Sequence, residues 1–305
     1  MIGERNVMGP DPILEELFAL DGVEFSYPGT IIPAITGCSL HLRPGRRTAL
    51  VGENGSGKST LLRLLNGLLR PAAGEIQFGG APLDYSRKGL RNLRQAVGLV
   101  FQDPDDQLFA ATVAEDIGIG PRNLGLGVAD VASRVRSAAR QVAVEALLDR
   151  PIHALSFGQK ARVAIAGILA MQPRVILADE ALASLDGRTQ RGLLELFSDL
   201  VAGGVSVILA THDLEVAYGW ADDVIVLADG RLLAAGSPED VFADADLLAG
   251  LGWEAPWPVA IYEALGASDH APRDRAAVLE DIRSAARSPK RDGLGSIGLN
   301  FNAAR

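Results

Sequence analysis

The residues best suited to chemistry are Gly52-Glu53-Asn54-Gly55-Ser56-Gly57-Lys58-Ser59-Thr60. Their spacing matches G-x-x-x-x-G-K-[ST], a loop whose successive backbone N–H groups cradle phosphate. Lys58 then reaches the outer phosphate oxygens, and the Ser59 hydroxyl is a ligand for Mg²⁺. The helix N-terminus that follows adds partial positive charge at the same point. A second group is Asp179-Glu180, which directly follows the apolar run Val175-Ile176-Leu177-Ala178. Asp179 can hold Mg²⁺ through water, and Glu180 can take a proton from an attacking water. The plainer alternative for these acids is a strand-terminal pair capping the next helix.

Such chemistry requires particular elements. The loop needs a strand before it, supplied by residues 48–51, and a helix after it, supplied from Thr60 onward. Residues 17–20 and 23–27 read as a hairpin turning at Asp21-Gly22, and a further strand spans about 35–42. Short strands follow around 74–80 and at 99–101, the latter ending at Gln102. From Asp103 to about Ala170 the pattern is helical, with Val128, Val131, Val135, Ala138 and Val142 forming one apolar stripe. Strands return at 175–178, 205–210 and 224–227, and Asp229-Gly230 turns the last of them back. Continuous apolar strands alternating with helices imply an α/β protein whose sheet is parallel and covered on both faces. From Ser237 a helical appendage follows, and beyond about Pro289 the composition implies a poorly ordered tail.

The composition narrows the function classes. The chain has 305 residues, 48% of them hydrophobic, a formal net charge of −9 and one cysteine, Cys38. An acidic balance argues against nucleic acid as partner. A single cysteine leaves no internal disulfide and fits a reducing compartment. No apolar run approaches the roughly 18 residues that span a bilayer; the longest, 163–171, suits a buried helix. There is no sign of a secretory signal. His41, His153, His212 and His270 are scattered, with no spacing typical of a transition-metal site.

Together with these motifs, Leu155-Ser156-Phe157-Gly158-Gln159-Lys160 makes the chain resemble the ATPase subunit of an ABC transporter. The resemblance covers roughly residues 17–240 and implies a P-loop ABC ATPase fold with a mixed sheet core. It implies a lead-in over 1–16, a helical subdomain at about 103–170 and an appendage and tail over 241–305. It further implies that Tyr27 stacks on adenine and that residues Gly52 to Thr60 bind the nucleotide. Glu180, His212 and Gln102 are then catalytic, and Ser59, Gln102 and Asp179 hold Mg²⁺. Ser156, Gly158 and Gln159 act on ATP bound by a partner copy, and Asp186 communicates across the dimer. The chain departs from the family at Phe157, where glycine is usual, at Ala181-Leu182, where Pro-Thr is usual, and at Ser184.

Residues 97–109, with Thr112 to Ile117 and Gly120 to Leu126, resemble the energy-coupling-factor importers. Arg87-Lys88-Gly89-Leu90 looks most like their cobalt type. Asp103 to Asp106 then reads as a dock for a basic coupling helix of a membrane subunit, or as an exposed acidic turn. Arg87, Lys88, Arg91 and Arg94 have the spacing of a solvated helix face. Trp253, Trp257 and Tyr262 read as packing of the appendage or as a homodimer contact. The resemblance implies a peripheral ATP- and Mg²⁺-dependent ATPase on the cytoplasmic face of the membrane. It would pair with itself or a close paralogue and with integral-membrane coupling and substrate-binding subunits. Its cargo would be cobalt, or alternatively nickel, biotin or another vitamin. A reading of another class is an ATP-gated binding module with little turnover.

Overall fold

The computed structural model describes residues 16–266 and 271–287. The expected lead-in up to Glu15 and the tail beyond Arg287 lie outside the described residues. The chain divides into two units, 1–244 and 245–305.

In the first unit the strands are β1 (Phe18–Phe25), β2 (Ile35–Leu42), β3 (Arg47–Val51), β4 (Ala73–Phe78) and β5 (Ala81–Pro82). They continue as β6 (Val97–Val100), β7 (Val175–Asp179), β8 (Ser206–Thr211), β9 (Asp223–Ala228) and β10 (Arg231–Gly236). The helices are α1 (Lys58–Leu65), α2 (Arg87–Ala96), α3 (Val113–Ile117), α4 (Ile119–Asn123), α5 (Val128–Gln141), α6 (Phe157–Leu169), α7 (Gly187–Ala202), α8 (Leu214–Trp220) and α9 (Pro238–Phe242).

These strands make two sheets. One has six strands in the order β10-β9-β3-β8-β7-β6, and the other has four in the order β2-β1-β4-β5. In the six-stranded sheet β6, β7, β8, β3 and β9 run parallel, and β10 returns antiparallel beside β9. The residues of β6 and β8 are all buried, as a parallel sheet clad on both faces requires. The mixed sheet core that the resemblance implies is present, with most of its antiparallel strands set apart as a four-stranded sheet beside the largely parallel one.

The hairpin expected at Asp21-Gly22 does not form. Residues 18–25 make one strand, paired on one side with β2 and on the other with β4. Asp21-Gly22 is instead a bulge in that strand, with Gly22 at φ 56° and its N–H donating to Ser39 Oγ at 2.9 Å. The burial parity gives the reason. Phe18, Leu20, Val23 and Phe25 are all buried, so the alternation must slip by one residue between Leu20 and Val23. A bulge does this and keeps both partner strands.

The apolar stripe on α5 also needs correction at one end. Val131, Val135, Ala138 and Val142 are buried, but Val128, at the first turn, is exposed. At the other end of the sheet, Arg46 Nε donates to Asp223 Oδ2 at 2.9 Å and Arg47 Nη2 to Asp222 Oδ1 at 2.6 Å. These pairs fasten the start of β3 to the start of β9. Helix α9 packs within the first unit, the Phe242 ring meeting Tyr218 edge-on at 5.9 Å. The second unit has α10 (Ala245–Leu251), α11 (Trp257–Ala264) and α12 (Arg275–Arg287), and the Tyr262 hydroxyl donates to Asp281.

Cys38 sits in β2, fully buried, and burial pushes its thiol up to about 11. That shift alone lowers the thiolate fraction about a hundredfold. The folded chain should therefore resist a thiol reagent near neutral pH and react promptly once denatured. Equal reactivity in both states would contradict the burial of Cys38.

Candidate functional site

Strand β3 ends at Val51 and hands the chain to the glycine-rich loop, which α1 closes from Lys58. The turn is tight. A Cβ on Gly52 would sit 2.3 Å from the Leu227 carbonyl oxygen and 2.4 Å from Ser56 Oγ. Beneath the loop, the Gly230 N–H donates to the Ser56 carbonyl at 3.0 Å and Thr36 N–H to the Gly230 carbonyl at 2.8 Å. The β9–β10 turn thus buttresses the phosphate loop. Gly52→Ala should cost about 1–3 kcal/mol by overpacking and weaken ATP binding with it. Thermal unfolding and nucleotide titration check both, and an unchanged midpoint would contradict the packing described.

The lysine and the acids converge. Lys58 is buried; its ammonium donates to the Gly52 carbonyl at 2.7 Å and the Glu53 carbonyl at 2.9 Å, and lies 3.3 Å from Glu180 Oε1. His212 Nδ1 lies 3.6 Å from the other Glu180 oxygen, Oε2. Glu180 holds a left-handed backbone, φ 46°, with its N–H donating to the Ala210 carbonyl at 3.1 Å. A non-glycine residue there costs of order 1–2 kcal/mol. The surrounding strands impose that strain on the one carboxylate facing both Lys58 and His212.

Tyr27, Asn54, Gly55, Gly57, Lys58, Ser59, Thr60, Gln102 and Glu180 line one cavity of about 350 Å³, with Ala34 completing the wall. The Tyr27 hydroxyl is 3.2 Å from Thr60 Oγ1, and its ring meets Phe25 edge-on. An adjoining cavity of about 390 Å³ contains Ser59, Gln102 and Asp179 together, with Arg63, Asp103 and Asp106 nearby in its lining. Ser59 Oγ donates to Asp179 Oδ1 at 2.8 Å. Burial raises the Asp179 carboxyl above its ordinary value, and the Ser59 hydrogen bond opposes that rise. A hydroxyl, a carboxylate and an amide carbonyl are the hard oxygen donors that suit Mg²⁺, and a cation offsets the cost of burying Asp179. The donor set fits the ion. Among the described residues no cluster of three His, Cys, Asp or Glu side chains forms a metal site.

The residues expected to act on a partner copy's ATP, or across the dimer, make contacts of their own outside this cavity's lining. Ser156 caps α6: its hydroxyl accepts from the Gln159 N–H at 3.4 Å, and Gln159 Oε1 accepts from the Ser156 N–H at 3.0 Å. Gly158 faces Thr189 at the start of α7, a Cβ there meeting Thr189 Cγ2 at 3.2 Å. Asp186 caps α7 through Arg188 N–H, Thr189 N–H and the Thr189 hydroxyl. Those donations, the Thr189 hydroxyl first, hold its carboxyl below its ordinary value. None of Ser156, Gly158, Gln159 and Asp186 lines the Lys58 cavity. Ala181 and Leu182, where the family has Pro-Thr, are buried as apolar fill. The acidic turn at 103–106 is partly neutralised within the chain, since Lys160 Nζ donates to both Asp105 oxygens at 2.6 and 2.9 Å.

Arg63 belongs to the site although no motif marks it. It follows Ser59 by four residues and Thr60 by three on α1, so it shares their face. Its guanidinium lies 3.5 Å from the Tyr27 hydroxyl, and its charge, like the Ser59 hydrogen bond, opposes the rise that burial causes at the Asp179 carboxyl. The periodicity of α1 held that signal.

Comparison with known proteins accords with this geometry. The ABC transporter family matches residues 35–183. An ABC transporter ATP-binding protein of Streptomyces coelicolor is 47% identical over 245 residues, 80% of this chain and 85% of the relative. The energy-coupling factor transporter ATP-binding protein EcfA of Methanocaldococcus jannaschii is 42% identical over 260 residues, 85% of this chain and 92% of the relative. Among solved structures, CbiO1 of Clostridium perfringens, described as part of the ABC transporter complex CbiONQ, matches with a TM-score of 0.70. Its sequence is 38% identical, and the match covers 78% of this chain and 95% of that one.

Proposed function

The chain belongs to the ABC transporter ATP-binding proteins of the energy-coupling-factor type, and from that premise we propose that it powers import of a divalent metal cation, cobalt first. ATPase chemistry is the family's. The observation that carries our assignment of residues is the convergence of Lys58 and His212 on the two oxygens of Glu180 beside the phosphate loop.

In this reading Tyr27 stacks on the adenine, and the loop N–H groups with Lys58 bind the phosphates. Ser59, Gln102 and Asp179 hold Mg²⁺, which supplies charge neutralisation to the phosphate oxygens. Glu180 takes a proton from the water that attacks the γ-phosphorus as the bond to ADP breaks. His212 keeps Glu180 and the γ-phosphate in register. That Ser156, Gly158 and Gln159 do not line the Lys58 cavity supports their acting on the nucleotide of a second copy, with Asp186 at that contact. The ATPase would work as a homodimer, or with a close paralogue, on the cytoplasmic face of the membrane. Among the described residues no helix is long and apolar enough to cross a bilayer, so integral-membrane subunits would form the path and select the cargo.

Cobalt rests on the resemblance of Arg87-Lys88-Gly89-Leu90 to the cobalt type of these importers. Labelled Co²⁺ uptake, with Ni²⁺ as competitor, in cells carrying this chain and its native membrane partners tests it. Uptake lost in Glu180→Gln is the expected result. Absence of cobalt uptake in both would overturn the cargo and send the search to nickel and vitamins such as biotin. An ATP-gated binding module is favoured only by Phe157, Ala181 and Leu182, and wild-type turnover decides against it or for it.

A further inference from the structure

Two independent ties join the segment after Gln102 to the helix that carries the signature sequence. The first is Gln107. Its Oε1 accepts the Phe101 N–H at 3.1 Å, and its Nε2 donates to the Ala164 carbonyl of α6 at 3.0 Å. Both partners are backbone groups of fixed polarity, so they dictate the amide's orientation. The second is the pair of Lys160, in the first turn of α6, with Asp105. Lys160 is the more buried partner, 17% exposed against 58% for Asp105. Asp105 is itself held in place, its N–H donating to Asp103 Oδ1 at 2.8 Å. Pro104 and Leu108 are buried on either side and anchor the turn between the two ties.

Gln102 lies between the tied points. It follows Phe101, whose N–H Gln107 holds, and precedes the 103–107 turn, and it lines both cavities at the phosphate loop. Ser156, Gly158 and Gln159 lie at the start of α6, on the same rigid helix that Lys160 and Ala164 belong to. A displacement of Gln102 therefore carries α6 with it unless both ties break. One tie alone would permit rotation about a single point; two contacts one helical turn apart on α6 prevent it.

We propose that Gln107 and the Asp105–Lys160 pair are positioning residues that make Gln102 and the signature end of α6 one mechanical body. The inference rests on the reading of Gln102 as a Mg²⁺- or water-facing residue. These residues touch no reacting atom. Their loss should leave ATP binding in place and lower kcat, because the groups that bind ground-state nucleotide sit in a different part of the chain.

The test measures kcat and KM for ATP in the full-length chain for Gln107→Leu, Asp105→Lys, Lys160→Asp, the double swap Asp105→Lys with Lys160→Asp, and Gln102→Ala as reference. Gln107→Leu should lower kcat about tenfold with KM little changed, the scale expected for loss of alignment at a reacting centre. Each single charge change should lower kcat, and the swap should recover most of the loss, which a structural role for either charge alone would not produce. Wild-type kcat in Gln107→Leu while Gln102→Ala is impaired overturns the inference and leaves Gln102's role standing. A swap that recovers nothing, or kcat and ATP affinity falling together, also overturns it. Unchanged kcat in Gln102→Ala removes the reading of Gln102, and the inference with it.

Discussion

Glu180→Gln should keep nucleotide binding and slow hydrolysis by about 10²–10⁴-fold, the range for loss of a general base. The amide has the size of the carboxylate it replaces, and the backbone at φ 46° is held by the hydrogen bond to the Ala210 carbonyl rather than by the side chain. Lys58 retains its contacts with the Gly52 and Glu53 carbonyls, so the phosphate loop keeps its shape. What is lost is the ability to accept a proton. ATP should then persist on the protein, and size-exclusion chromatography with Mg²⁺ and ATP should show the dimer accumulating. Rapid hydrolysis by Glu180→Gln would place the base elsewhere.

Lys58→Ala should act on binding instead. The ammonium is buried and already desolvated, and each charge-assisted hydrogen bond to a phosphate is worth about 1.5–3 kcal/mol. Losing two of them predicts an affinity for ATP lower by about 10²–10⁴-fold. A second effect follows from the pair with Glu180, which is 10% exposed. Without Lys58 that carboxylate loses the ammonium beside it and keeps the His212 imidazole at 3.6 Å, so the folded chain should also lose stability. Titration with a fluorescent ATP analogue checks the first effect and thermal unfolding the second. Affinity within a few fold of wild type would show that Lys58 does not meet the phosphates.

The parts of the site legible in sequence were those fixed by local order. The phosphate loop needs a strand, a turn and a helix in succession, and Asp179-Glu180 needs only the end of β7, so motif and position coincide. The α2 helix was read from spacing, but its arginines are not all a plain solvated face: Arg94 donates to the Gly67 carbonyl and Arg91 to the Asn123 carbonyl. Those partners lie 27 and 32 residues away, beyond what periodicity can show. The same limit explains β1. Asp-Gly is a strong turn dipeptide, yet β1 has a partner on each side and the dipeptide became a bulge. The acidic run at 103–106 reads from sequence as a dock for a basic helix or as an exposed acidic turn, and neither reading shows Lys160, which pairs with Asp105 from 55 residues away. Strain at Glu180 had no signal in residue type, since nothing in the sequence marks a glutamate for positive φ.

The most direct test is steady-state phosphate release by the unaltered chain at saturating ATP, with Mg²⁺ present and then chelated, against Glu180→Gln as background. An ATPase built on Ser59, Gln102, Asp179 and Glu180 should release phosphate at least about a hundredfold faster than that background and fall to it when Mg²⁺ is removed. Release no faster than from Glu180→Gln, with ATP bound, would contradict the account and leave the chain as a module that closes on ATP without turning it over.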